Sequence, residues 1–156
     1  MSSLKTPLES DQAAAKAWQW LRINVKDALV LSICHAILEA DTEALSAITM
    51  AHFTRERRLA EACSHDCNLT LSDLKLHGAL RTGFSYEKGC GRDYSSLLLV
   101  SETNKTVVRV TKHADQEQPE VRGMVEQSVQ KVRLVSFAML KLKEALINGV
   151  EKQGSF

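Results

Sequence analysis

Glu120-Val-Arg-Gly-Met-Val-Glu-Gln-Ser-Val-Gln-Lys-Val-Arg-Leu-Val-Ser-Phe-Ala-Met-Leu-Lys-Leu-Lys-Glu-Ala-Leu-Ile-Asn148 is the longest amphipathic stretch in the chain, and its reading decides the fold. Val121, Val125, Ser128, Val132, Val135, Met139, Leu142 and Leu146 recur at alternating steps of three and four. At about 100° per residue they line a stripe roughly 80–100° wide, which predicts one helix over 120–148 with Gly149 near its end. Val129, Leu140 and Ile147 widen the stripe, Leu134 and Phe137 fall near the opposite face, and Lys143 must snorkel out of it. A helix lying on one domain face needs only the narrower band. The surplus predicts a second contact, most simply the same helix of another copy in a two-fold dimer, or else another protein. On that reading Val121, Val125, Val132, Val135, Met139, Leu142 and Leu146 form a partner interface. The alternative is a helix that is simply central to its own small domain.

Working back from this stretch, Asp115-Gln-Glu-Gln-Pro119 reads as a linker with proline placed to open the helix. Ser95–Ser101 and Thr106–His113 are rich in Leu, Val and Thr, and a polar turn divides them, so residues 95–113 read as a β-hairpin. Residues 83–93 carry three glycines and no apolar periodicity, which predicts a loop. Helices are expected across 11–81. Ser10 or Asp11 can cap the first, and Asp41 or Thr42 the one that carries Leu45, Ile48, His52, Leu59 and Cys63 on one side. A short capped helix is expected from Thr70 to about Arg81. Between Val25 and Ala40 nearly every residue is apolar apart from Ser32, His35 and Glu39, whose spacing leaves one narrow polar stripe on an otherwise buried helix. Trp18 and Trp20 cannot share a helix face, so at least one must meet another element. Residues 1–10 read as a flexible leader. The expected fold is therefore mainly α within the α+β class: a single helical bundle-like domain over 11–156, with one β-hairpin and a long C-terminal amphipathic helix.

Composition narrows the function classes. The 156 residues include 20 Lys and Arg against 19 Asp and Glu, a net charge of +1, with 44% hydrophobic and 25% charged residues. Such a chain is globular rather than disordered, and it is not a generally basic nucleic-acid coat. The longest apolar stretch, Ala28–Leu38, is well short of the roughly 20 residues that cross a bilayer, so no membrane partner is expected. No apolar run follows Lys5, which argues against a secretory signal and places the chain in the cytoplasm or nucleus with its four cysteines reduced.

Two constellations could carry chemistry. Cys63-Ser-His-Asp-Cys67 has thiols at i and i+4, and with His77 and Cys90 it makes a possible four-ligand zinc set. Against zinc, the second half lacks a close pair of its own, and Cys63 continues an apolar helix side. Cys90, between Lys88 and Arg92 in the expected loop, is the best placed cysteine for a thiol-dependent enzyme. No phosphate loop or H-E-x-x-H string occurs, and Gly83-Phe-Ser85-Tyr-Glu87 has Glu where a nucleophile elbow needs glycine. Residues 53–113 carry ten basic and seven acidic side chains, and Arg55, Arg57, Arg58, Lys105, Arg109 and Lys112 could form a nucleic-acid surface in a winged-helix-like layout. The ordinary alternative is a solvated charged face. The leading expectation is a small, non-enzymatic regulatory or interaction protein that self-associates or binds a protein partner through its last helix.

Overall fold

The computed structural model describes residues 11–63, 67–69, 76, 78–89 and 92–154. Among the described residues three helices come first: α1 (Gln12–Asn24), α2 (Ala28–Leu38) and α3 (Thr42–Cys63). Each starts on an aspartate whose carboxylate accepts backbone N–H groups that the first helical turn leaves without partners. Asp11 accepts from Ala14, Asp27 from Leu29 and Val30, and Asp41 from Ala44. Helix α2 buries Val30, Ile33, Cys34, Ala36, Ile37 and Leu38, and leaves Ser32 outside. His35 and Glu39 form an i,i+4 pair at 3.4 Å, and Trp18 of α1 meets the His35 ring edge-on at 4.7 Å.

Six strands follow: β1 (Cys67–Leu69), β2 (Arg81–Gly89), β3 (Arg92–Ser101), β4 (Thr106–His113), β5 (Glu120–Gln127) and β6 (Gln130–Val132). They form one antiparallel sheet in chain order, each strand paired to the next. Helix α4 (Val135–Gly154) then lies across β3, β4 and β5, beside α3, which covers β2. Helices α1 and α2 pack on α4 from the far side, so α4 sits between sheet and helices. The core runs through these layers by way of Leu21, Ile33, Ile37, Leu97, Leu99, Val108, Met139, Leu142 and Leu146.

This corrects the expected fold. The chain is α+β with a six-stranded antiparallel sheet, not a helical bundle with one hairpin. The expected hairpin segments are β3 and β4, the central pair of that sheet. The expected loop at 83–93 holds most of β2 and the start of β3. Its glycines mask a period of two, in which Thr82, Phe84 and Tyr86 point inward while Arg81, Gly83 and Ser85 point outward. The expected helix from 120 begins only at Val135, because residues 120–132 are β5 and β6. Valine at 121, 125, 129 and 132 satisfies steps of three and four, yet its branched side chain favours strands, and inward Val121, Gly123 and Val125 alternate with outward Glu120, Arg122 and Met124. Of the short helix expected from 70 to 81, residues 70–75 and His77 lie outside the described residues, Leu76, Gly78, Ala79 and Leu80 are not helical, and Arg81 opens β2. The leader expected at 1–10 also lies outside them.

Two glycines set how closely α4 approaches. A Cβ on Gly123 would stand 2.7 Å from the Ala138 Cβ and 3.1 Å from the Val135 Cα. One on Gly149 would meet the Leu76 carbonyl oxygen at 2.5 Å and the Ala79 Cβ at 2.6 Å. Asn104 ties the β3–β4 turn to the same helix by donating from Nδ2 to the Lys141 carbonyl at 2.7 Å. Lys143 of α4 pairs with Asp11 at 3.0 Å and so fastens it to the start of α1.

Gly123→Ala and Gly149→Ala should each lower stability by about 2–3 kcal/mol through overpacking, although alanine has the better intrinsic propensity in both settings. Urea midpoints will read the loss. The N–H of Ala14 and the Lys143 ammonium hold the Asp11 carboxyl below its ordinary value of 3.8. Its stabilising contribution is therefore complete above that value and is lost as pH falls through the lower, folded-state one. The stability gap between the wild-type chain and Asp11→Asn should accordingly be constant near neutrality and shrink in acid, as followed by thermal melts from pH 7 to pH 2.

Candidate interaction surface

Alternation along the strands gives the sheet two unlike faces. The inner face carries Phe84, Leu97, Leu99, Val108, Val110 and Val125, all buried under α3 and α4. On the outer face, register places Arg81, Val100, Val107 and Met124 in one row and Gly83, Leu98, Arg109 and Arg122 in the next. A third row holds Ser85, Ser96, Thr111 and Glu120, with a 2.9 Å hydrogen bond between the two serine hydroxyls. Tyr94 and His113 stand opposite each other at the far end, with ring centroids 5.6 Å apart.

None of the described helices packs on this outer face. Gly83 reports its openness directly, since a Cβ built there would have no neighbour within 4 Å. A solvent-facing sheet surface ordinarily alternates to polar residues. Here Leu98, Val100, Val107 and Met124 form a contiguous half-buried apolar band instead. Charge borders it on both sides. Arg81 pairs with Glu102 at 3.1 Å, and Arg122 with Glu120 two residues along the same strand. Arg109 is exposed, stands directly opposite Arg122, and has no ion pair among the described residues. Sequence periodicity could have found this face had 120–127 been read as a strand, because Arg109 and Arg122 become neighbours only through the β4–β5 register.

The residues singled out from sequence fall elsewhere. Of the expected partner interface, Val125, Met139, Leu142 and Leu146 are at most 1% exposed within the chain's own core. Val121, Val132 and Val135 are half-buried, and Val121 and Val132 belong to strands rather than to a helix. The grease counted as surplus is covered by the sheet on one side and by α1 and α2 on the other. Of α4, it is Leu140, 52% exposed, that faces out.

The basic set is split between layers. Arg55 and Arg58 are exposed on α3, which covers the inner face, and Arg55 donates to the His52 Nδ1 at 3.2 Å. Arg57 belongs to the same helix, and its side chain lies outside the described residues. Arg109 points from the opposite face. Lys105 is exposed in the β3–β4 turn, and Lys112 donates to the His113 carbonyl. Among the described residues these side chains do not come together in a winged-helix layout.

Cys63 ends α3 and Cys67 begins β1, but their side chains, like His77 and Cys90 altogether, lie outside the described residues. Among the described residues no three His, Cys, Asp or Glu side chains come together to hold a metal. Cys34 is a free thiol that burial pushes up to about 12, far from the thiolate a nucleophile needs. His52 is buried against Phe84, with ring centroids 3.9 Å apart. A surface cleft of about 400 Å³ lies between the start of α3 and the β4–β5 loop, with Glu43, Ser46, Met50 and Gln118 in its lining. No described helix is long and apolar enough to cross a membrane. No protein-family model, curated protein or solved structure matches the chain.

Gly83→Val should raise stability by about 0.5–1 kcal/mol, since a β-branched residue suits a strand better than glycine and its side chain enters open space. A fall in the melting temperature of this variant would show that the outer face is covered.

Proposed function

We propose that the chain is a non-enzymatic interaction protein and that it engages a protein partner through the outer face of its sheet. The observation that carries this reading is the apolar band of Leu98, Val100, Val107 and Met124 in the middle of that face, over which none of the described helices packs. Contiguous apolar surface with a charged border is the usual composition of a contact patch, with the centre supplying desolvation and the rim orientation. The last helix, first expected to be the contact element, instead holds the face in shape from beneath. A cytoplasmic or nuclear setting suits such a protein.

Nucleic-acid binding is the second reading, and the Arg109–Arg122 pair favours it. It lacks a stacking platform next to those arginines, where the face is aliphatic rather than aromatic.

A photo-crosslinking residue placed at Leu98 should give discrete protein adducts in cells that are absent when the same residue replaces exposed Lys16 on α1. Val107→Asp should abolish those adducts while leaving the melting temperature within a few degrees of the parent. Identical adducts from both positions, or none from Leu98, would overturn the assignment of this face.

A further inference from the structure

The partner's chemistry can be read from the same face, and this inference rests on the face being a contact surface. We infer that its occupant is an acidic amphipathic segment of another protein, which seats apolar side chains on Leu98, Val100, Val107 and Met124 and a carboxylate between Arg109 and Arg122.

The first step is the register. Arg109 and Arg122 are direct cross-strand partners on one face, where side chains start about 5 Å apart. Like charges in that position repel, and within the face one carboxylate, Glu120, answers the two guanidinium groups by binding Arg122. Arg109 is left facing solvent without a counter-charge among the described residues. Two guanidinium forks rooted at directly opposite positions can both reach one anion, and a carboxylate set between them accepts from the Arg109 donors and from those Arg122 donors not committed to Glu120. Such a ligand turns a local repulsion into two charge-assisted contacts.

The second step is spacing. The apolar row Val100–Val107–Met124 lies two residues along the strands from the arginine row, a separation of about 7 Å. Leu98 flanks Arg109 within the arginine row itself. The occupant must therefore place apolar groups and a carboxylate about 7 Å apart on one side. Positions i and i+2 of a strand do this, and positions i and i+4 of a helix come close.

That pattern separates the possible occupants. A single-stranded nucleic acid would set its bases on the row beside the arginines, which holds aliphatic side chains, while the ring pair of Tyr94 and His113 lies two rows beyond. A second copy packed face to face about a two-fold axis through the arginine row would bring one arginine pair toward the other. An acidic protein segment meets both the apolar band and the cation pair.

A phage-displayed library of random 16-residue peptides, panned on the folded chain, tests the inference. Recovered peptides should combine Leu, Ile, Val or Met with Asp or Glu. Their affinity should fall at least about tenfold for Arg109→Glu with Arg122→Glu, and be regained when the peptide carboxylates are exchanged for Lys. The milder pair Arg109→Gln with Arg122→Gln should weaken binding in the same direction, and melting curves will confirm that each variant is folded. Peptides lacking acidic residues, or binding the double Glu variant as well as the parent, would overturn the acidic assignment. If Val107→Asp still abolished their binding, the contact face itself would stand. Peptides indifferent to Val107→Asp as well would remove both readings. Tighter binding of a 12-residue oligouridylate that is lost in the double Glu variant would reassign the arginines to nucleic acid. A dimeric mass for the isolated chain that becomes monomeric in Val107→Asp would reassign the face to a second copy.

Discussion

Helix α4 approaches its neighbours more closely than any side chain larger than hydrogen permits at two points, the sheet at Gly123 beneath its first turn and the segment before β2 at Gly149, beside Leu76 and Ala79. The rest of the architecture depends on that approach. Because α4 sits so low, Met139, Leu142 and Leu146 reach the inner sheet residues, while its other flank remains available to α1 and α2. Asn104 and Asp11 then fix it from both sides, one through the Lys141 carbonyl and the other through Lys143. A helix raised by one methyl group at either glycine would loosen every layer together, since closely packed interiors transmit small displacements.

Burying one face so fully leaves the other face to serve another purpose. Gly123 and Gly83 lie in the same sheet with opposite surroundings, one pressed by Ala138 and the other facing open space. The apolar band beside Gly83 contributes nothing to covering α3 or α4, and water contact costs free energy at each of its residues. The Arg109–Arg122 juxtaposition adds electrostatic repulsion to the same face. The surface to which we assign a partner is thus unfavourable in water in two independent ways, and a contact that relieved both would stabilise it.

Legibility from sequence followed the range over which each signal acts. Helices α1 and α2 were readable because their caps and apolar spacing lie within a few residues: Asp11 and the polar stripe of Ser32, His35 and Glu39 did what local rules require. The β3–β4 pair was readable for the same reason. Strands β2, β5 and β6 were not. In β2, glycines interrupt the alternation, and in β5 and β6 the valines fit a helical period as well as a strand. Preference between the two came from tertiary pairing, which a single sequence does not display. The misreading passed directly into function. A helix over 120–132 would make Val121 and Val125 a docking stripe and leave Arg109 and Arg122 unrelated residues thirteen apart. The split of Arg55 and Arg58 from Arg109 was equally invisible, because it depends on which side of the sheet α3 takes.

The order of elements has a consequence during synthesis. All six strands leave the ribosome before α4 does, and each pairs with the strand just made, so the sheet can assemble as it emerges. Until residue 154 is clear of the exit tunnel, however, the nascent sheet shows apolar side chains on both sides at once: Leu97, Leu99, Val108 and Val110 on one, Leu98, Val100, Val107 and Met124 on the other. A released chain that stopped before Val135 would carry the finished sheet without α4, with apolar side chains on both of its sides, and would be the most aggregation-prone form of the protein.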